Sequence, residues 1–142
     1  MKVGIFTDIG KACKKLVHHF KQCHAAFLEA NYDEEMLMNG DYPAILKKRI
    51  SGKHGHLSNM EALELFKKYR PPFMTHLILS HLSNNNNKPE LVEKLFSDHA
   101  RGTEIIIASR YRESDVFHIH PEIKKNIMSK NKAGNNQQLS LF

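Results

Sequence analysis

The 142 residues fit one domain, and their 41% hydrophobic and 25% charged content is that of an ordinary globular chain. No apolar run approaches the ~20 residues of a membrane span, and Met1-Lys2 leads straight into Val3-Gly4-Ile5-Phe6 and Asp8 without a cleavable leader. The reading excludes a membrane partner and places the chain in the cytoplasm. The net charge of +6 favours a polyanionic partner such as nucleic acid, but the lysines are scattered, with Lys124, Lys125, Lys130 and Lys132 in the last segment. Cys13 and Cys23 make neither a disulfide framework nor a Cys-rich zinc site, and read as buried free thiols of a reducing compartment.

In chain order, Val3 to Phe6 is an apolar run of strand length that ends at Thr7-Asp8-Ile9-Gly10. Lys11 to Gln22 carries Ala12, Leu16, Val17 and Phe20 at helical spacing. Ala25 to Ala30 reads as a buried strand, and Tyr42 to Ile50 as a short helix with Pro43 in its first turn. After the loop Lys53-His54-Gly55-His56, Ser58 and Glu61 have the spacing of a capping box. They open a helix through Tyr69 that Pro71-Pro72 closes. Thr75 to Ser80 is a further strand. The polar run Asn84 to Asn87 precedes a helix from Pro89 to about Ala100. Glu104 to Ala108 and Asp115 to Ile119 read as the last strands, with a turn around Tyr111 to Ser114. Beyond about Lys125 the chain is polar and aperiodic, which reads as a mobile tail.

Strands alternating with helices predict an α/β layered fold. Polar residues gather where strands end, namely Asp8, Glu29 with Asn31, and His81, and in such folds sites form there.

Four segments in order carry a resemblance. They are Phe6-Thr7-Asp8-Ile9-Gly10, Leu28-Glu29-Ala30-Asn31-Tyr32-Asp33, Arg49-Ile50 with Gly55-His56-Leu57-Ser58-Asn59, and Leu79-Ser80-His81-Leu82-Ser83 with Asn85-Asn86. Together they resemble the metallo-β-lactamase superfamily, in its YycJ/WalJ-like branch with ribonuclease Z-like motifs, from roughly Val3 to Ile119. The resemblance implies the C-terminal half of the αβ/βα sandwich, over residues 1–123, followed by a tail at 124–142. It further implies that Asp8 is the carboxylate bridging two divalent ions (zinc or manganese) and His81 the last histidine ligand. A carboxylate with two oxygens can hold two cations about 4 Å apart, and neutral imidazole suits either metal. By the same resemblance His56 delivers a proton to the leaving oxygen and Glu29 orients His56. Asn31, Asp33 and Arg49 shape the site or contact phosphate. Read without the resemblance, Asp8 could N-cap the helix from Lys11, His56 could only shape its loop, and Glu29 could pair with a lysine.

The superfamily's His-x-His-x-Asp-His motif is not in this sequence. The nearest match, His118-Ile119-His120-Pro121-Glu122, lacks the Asp-His pair and falls at the wrong end, where an edge strand is expected. Asp8 and His81 supply too few ligands for a catalytic binuclear centre. The start at Met1, just before the Asp8 strand, suggests a truncated or split gene or an internal start. On this reading the missing N-terminal half is a partner, and the isolated chain is inactive and does not hold metal tightly. The final Gln138-Leu139-Ser140-Leu141-Phe142 resembles the pentapeptide that docks bacterial repair proteins onto the DNA sliding clamp, with Leu141 and Phe142 as apolar anchors. The expected parental activity is metal-dependent phosphodiester hydrolysis on DNA, as a nuclease or exonuclease of replication or mismatch repair. The alternatives are a non-catalytic clamp-binding protein, or a hydrolase of RNA or a small ester.

Overall fold

The computed structural model describes residues 1–120. The tail from residue 124, its boundary at 123 and the pentapeptide Gln138 to Phe142 lie outside the described residues. The elements are β1 (Val3–Phe6), α1 (Lys14–Phe20), β2 (Ala25–Glu29), α2 (Glu34–Asn39), α3 (Ala44–Ile50), α4 (Asn59–Tyr69), β3 (His76–Ser80), α5 (Pro89–Ser97) and β4 (Glu104–Ile107). The fold is α/β, with one four-stranded parallel sheet in the order β1-β2-β3-β4. This is the layer arrangement expected of half an αβ/βα sandwich. Among the described residues no helix is long and apolar enough to cross a membrane.

Strand residues alternate between the two sheet faces. Phe6, Ala26, Leu28, Leu77, Leu79, Ile105 and Ile107 face the helices, where Leu16 and Phe20 of α1, Leu63 and Phe66 of α4, and Val92 and Phe96 of α5 close the core. Burying each large side chain there is worth about 1.5–3 kcal/mol. The register puts Val3 and Ile5, Phe27 and Glu29, Ile78 and Ser80, and Ile106 on the other face. At its β1 edge that face is open, with Ile5 73% and Val3 50% exposed.

Local signals set the helix ends. Ser58 and Glu61 form the capping box, satisfying backbone donors at both positions. Arg70, the residue before Pro71, turns extended and ends α4.

Four expectations are corrected. Helix α1 begins at Lys14 with Cys13 as its N-cap, so Asp8 does not cap it. Cys13 is exposed rather than buried, and the Leu16 backbone N–H beside it holds its thiol below the ordinary range, whereas Cys23 is buried. Helix α2 was not anticipated; it is one and a half turns long, too short for periodicity. Its signal was the Asp33 cap followed by Glu34 and Glu35 in the first turn. Asp115 to Ile119 forms no strand. Alternation marks a face but supplies no hydrogen-bonding neighbour, and among the described residues none pairs with this segment. Phe117 instead lies against His76, 5.9 Å between ring centroids.

Candidate metal centre

The C-terminal ends of three neighbouring strands deliver three polar side chains to one place. Asp8 lies just beyond β1, Glu29 is the last residue of β2, and His81 follows β3. His56 joins them from the loop before α4, because the Asn31 N–H bonds the Leu57 carbonyl at 2.9 Å and ties that loop to the end of β2. One donor atom from each of Asp8, Glu29, His56 and His81 lies within 4.8 Å of the others.

Glu29 is the hub. It is fully buried, and among the described residues its partners are not lysines. The Nδ1 atoms of His56 and His81 both donate to its Oε1 at 2.6 Å, and the Ile9 N–H donates to its Oε2 at 2.8 Å. An ionised carboxylate can only accept, so each Nδ1 is the donor in these contacts. Asp8 Oδ1 stands 3.9 Å from both Nδ1 atoms. The two rings meet edge to face at 5.1 Å.

The backbone at two of these positions is strained. Asp8 (φ 54°) and His81 (φ 60°) occupy the left-handed region, as does Arg101 elsewhere. Such a conformation costs a non-glycine residue about 1–2 kcal/mol and persists where surrounding bonds impose it. At Asp8 the neighbouring Ile9 N–H is held by Glu29, and at His81 the carbonyl accepts from Asn31 Nδ2 at 2.7 Å.

Asn31 is buried and ties both histidine loops to the end of β2. Its carbonyl also accepts from the Ser83 N–H at 2.7 Å and from Asn87 Nδ2 at 3.1 Å. Asn87 in turn exchanges hydrogen bonds with Asn59. Sequence reasoning missed Asn59 and Asn87. The run Asn84 to Asn87 was legible only as a polar loop, although its last two members are buried.

The other candidates lie outside the cluster. Asp33 caps α2, accepting from the Met36 N–H at 3.0 Å. Arg49 is exposed in the last turn of α3, which leads into the cluster through the His56 N–H bond to the Ile50 carbonyl at 2.8 Å. His118 and His120 stack on each other at 6.5 Å and join no metal-binding group among the described residues.

Two imidazoles and two carboxylates form a mixed nitrogen and oxygen donor set that suits zinc or manganese. The convergence and the buried Glu29 fit a divalent ion. Four donors can close around one ion, but two ions with an open position need more.

No family model and no solved structure match the chain. Among curated proteins it is 29% identical over 119 residues to the exodeoxyribonuclease YycJ of Bacillus anthracis, covering 84% of this chain and 43% of the relative. It is 33% identical over 87 residues to the exodeoxyribonuclease WalJ of Streptococcus pneumoniae serotype 2, covering 61% of this chain and 32% of the relative. The matched stretches thus span less than half the length of these relatives. In sequence the chain is related to the YycJ/WalJ exodeoxyribonucleases.

Proposed function

We propose that the chain contributes the Asp8–Glu29–His56–His81 centre of a metal-dependent phosphodiesterase that hydrolyses DNA, an exonuclease of replication or mismatch repair. The observation that carries this reading is the convergence of two carboxylates and two imidazoles at one end of a parallel sheet. The substrate class comes from the names of the relatives, which are exodeoxyribonucleases.

Asp8 and His81 would hold the divalent ions, two in the complete centre. When bound, such ions supply Lewis acidity that activates water and offsets charge on the phosphoryl oxygens. His56 would hand a proton to the leaving oxygen. Glu29 fixes its tautomer and offsets its charge when it is protonated. Because Asp8 and His81 are too few for two ions with an open position, further ligands would come from outside these residues. The open sheet edge at Val3 and Ile5 offers an apolar face for a ligand-bearing segment to pack on, and an N-terminal half carrying the His-x-His-x-Asp-His motif would be such a segment. By itself the 142-residue chain is then inactive.

The test mixes the chain with the portion of the Bacillus anthracis relative that it does not match, then follows nucleotide release from end-labelled DNA with manganese. Release is expected only from the mixture, and is lost with Asp8→Asn. Turnover by the chain alone, or turnover that survives Asp8→Asn, would sink the reading.

The pentapeptide Gln138 to Phe142 is consistent with DNA processing, and docks on the bacterial sliding clamp in this reading. Leu141→Ala and Phe142→Ala are expected to weaken clamp binding, and an unchanged affinity would end that part. Clamp binding without turnover in the mixture would favour a non-catalytic clamp-binding protein.

A further inference from the structure

Positions 42–60 hold Lys47, Lys48, Arg49 and Lys53 and not one Asp or Glu. This run extends from just before α3 through the loop after it to the first turn of α4, and it contains His56. Packing fixes the arm against the centre. A Cβ on Gly10, two residues past Asp8, would run into the Lys53 carbonyl and the Gly55 backbone, and one on Gly55 would run into the carbonyls of Arg49 and Ile50. The arm therefore lies in backbone contact with the Asp8 loop on one side and is continuous with His56 on the other.

The charges on this arm are uncompensated. Lys47 is occupied, donating to the Met38 carbonyl at 2.7 Å. Lys48, Arg49 and Lys53 are exposed and have no carboxylate within ion-pair distance among the described residues. Favourable interaction with the helix dipole explains Lys48 and Arg49 at the end of α3. It does not explain Lys53 beyond the helix, exposed Lys11 after Gly10, or the absence of acids along the whole run. Cations beside a cluster of acidic metal ligands suit a substrate that carries a phosphate at the centre and further phosphates beside it.

We infer that the arm carrying Lys48, Arg49 and Lys53 is the rail that holds the DNA backbone next to the phosphate that would meet the ions held by Asp8 and His81. The inference rests on the nuclease reading and adds to it the path of the strand. These side chains position the substrate through its phosphates and carry no sequence preference.

The experiment measures binding of a fluorescent single-stranded DNA to the full chain in EDTA over a range of salt. It compares Arg49→Gln/Lys53→Gln with Lys67→Gln/Lys68→Gln, the same charge change in the last turn of α4, at the end of that helix remote from Ser58. A single-strand phosphate contact contributes a slope of about 0.7, which is about fivefold in affinity at 0.1 M salt, so two lost contacts give about 25-fold and a slope flatter by about 1.4. That loss is expected in the arm variant alone, with zinc binding of that variant unchanged. Equal losses in both variants, or none in the arm variant, would overturn the rail and leave the nuclease reading standing. A wild-type chain that binds no DNA at any salt would overturn the rail, while the substrate assignment stands or falls with nucleotide release from the mixture.

Discussion

Replacing Glu29 with glutamine probes the centre at its hub. Three donors aim at this carboxylate, the Nδ1 atoms of His56 and His81 at one oxygen and the Ile9 N–H at the other. A glutamine of the same shape offers one oxygen and one NH2. Whichever way the amide turns, either both imidazoles or the Ile9 N–H face a donor. A hydrogen bond to a charged group is worth about 1.5–3 kcal/mol, and losing such a support to a ligand costs about 10–100-fold in metal affinity, or roughly 1.4–2.7 kcal/mol. The two estimates agree. Competition of the full chain with a chromophoric chelator for zinc reads the affinity, and long-range proton–nitrogen spectra read the histidine tautomers. Glu29→Gln is expected to weaken zinc by that factor and to mix the tautomers of His56 and His81. Glu64→Gln, at an exposed position of α4, is expected to do neither. Zinc affinity unchanged to within about twofold would refute the hub.

Other perturbations test the supports around it. Gly10→Ala drives a methyl into the fixed backbone of Lys53 and Gly55. It should cost about 1–3 kcal/mol in urea unfolding, and a neutral result would mean the Asp8 loop is not clamped there. Asn31→Asp replaces the donor facing the His81 carbonyl with an acceptor in a buried position. A loss of about 1–3 kcal/mol and weaker zinc binding are expected, and wild-type stability with wild-type affinity would contradict the role given to Asn31. Burial, with Glu61 and Glu34 nearby, pushes the Tyr32 phenol up to about 12. The folded state therefore favours the neutral phenol. Its contribution is complete below pH ~10 and is lost as pH rises towards about 12. Of the four tyrosines, Tyr32 should ionise last in a phenolate absorbance titration, and Tyr32→Phe should remove that step. Simultaneous titration of all four would refute its burial.

What could be read from the residues was what is local. The runs Val3 to Phe6 and Thr75 to Ser80 end in polar residues within one or two positions, so Asp8 and His81 stand out where strands stop. Ser58 and Glu61 announce α4 by themselves. That Glu29 meets both histidines depends on non-local register, with Glu29 opposite Ser80 and Phe6 opposite Leu28. Spacing along the chain carries no such information. The resemblance paired Glu29 with His56, whereas its equal bond to His81 and its hold on Ile9 are visible only in three dimensions. The Asn31–Asn87–Asn59 linkage was hidden because asparagine in a polar run reads as solvent-facing until burial is known. Asp115 to Ile119 failed in the opposite direction, since its alternation was clear but its partner strand does not exist among the described residues.

The measurement that tests the central claim most directly is anomalous X-ray scattering from crystals of the full chain soaked with zinc. The account predicts an anomalous peak at the Asp8–His81 cluster, about 2.0–2.2 Å from a carboxylate oxygen and an imidazole nitrogen, that disappears in Asp8→Asn. Zinc bound elsewhere, with this cluster empty, would contradict it.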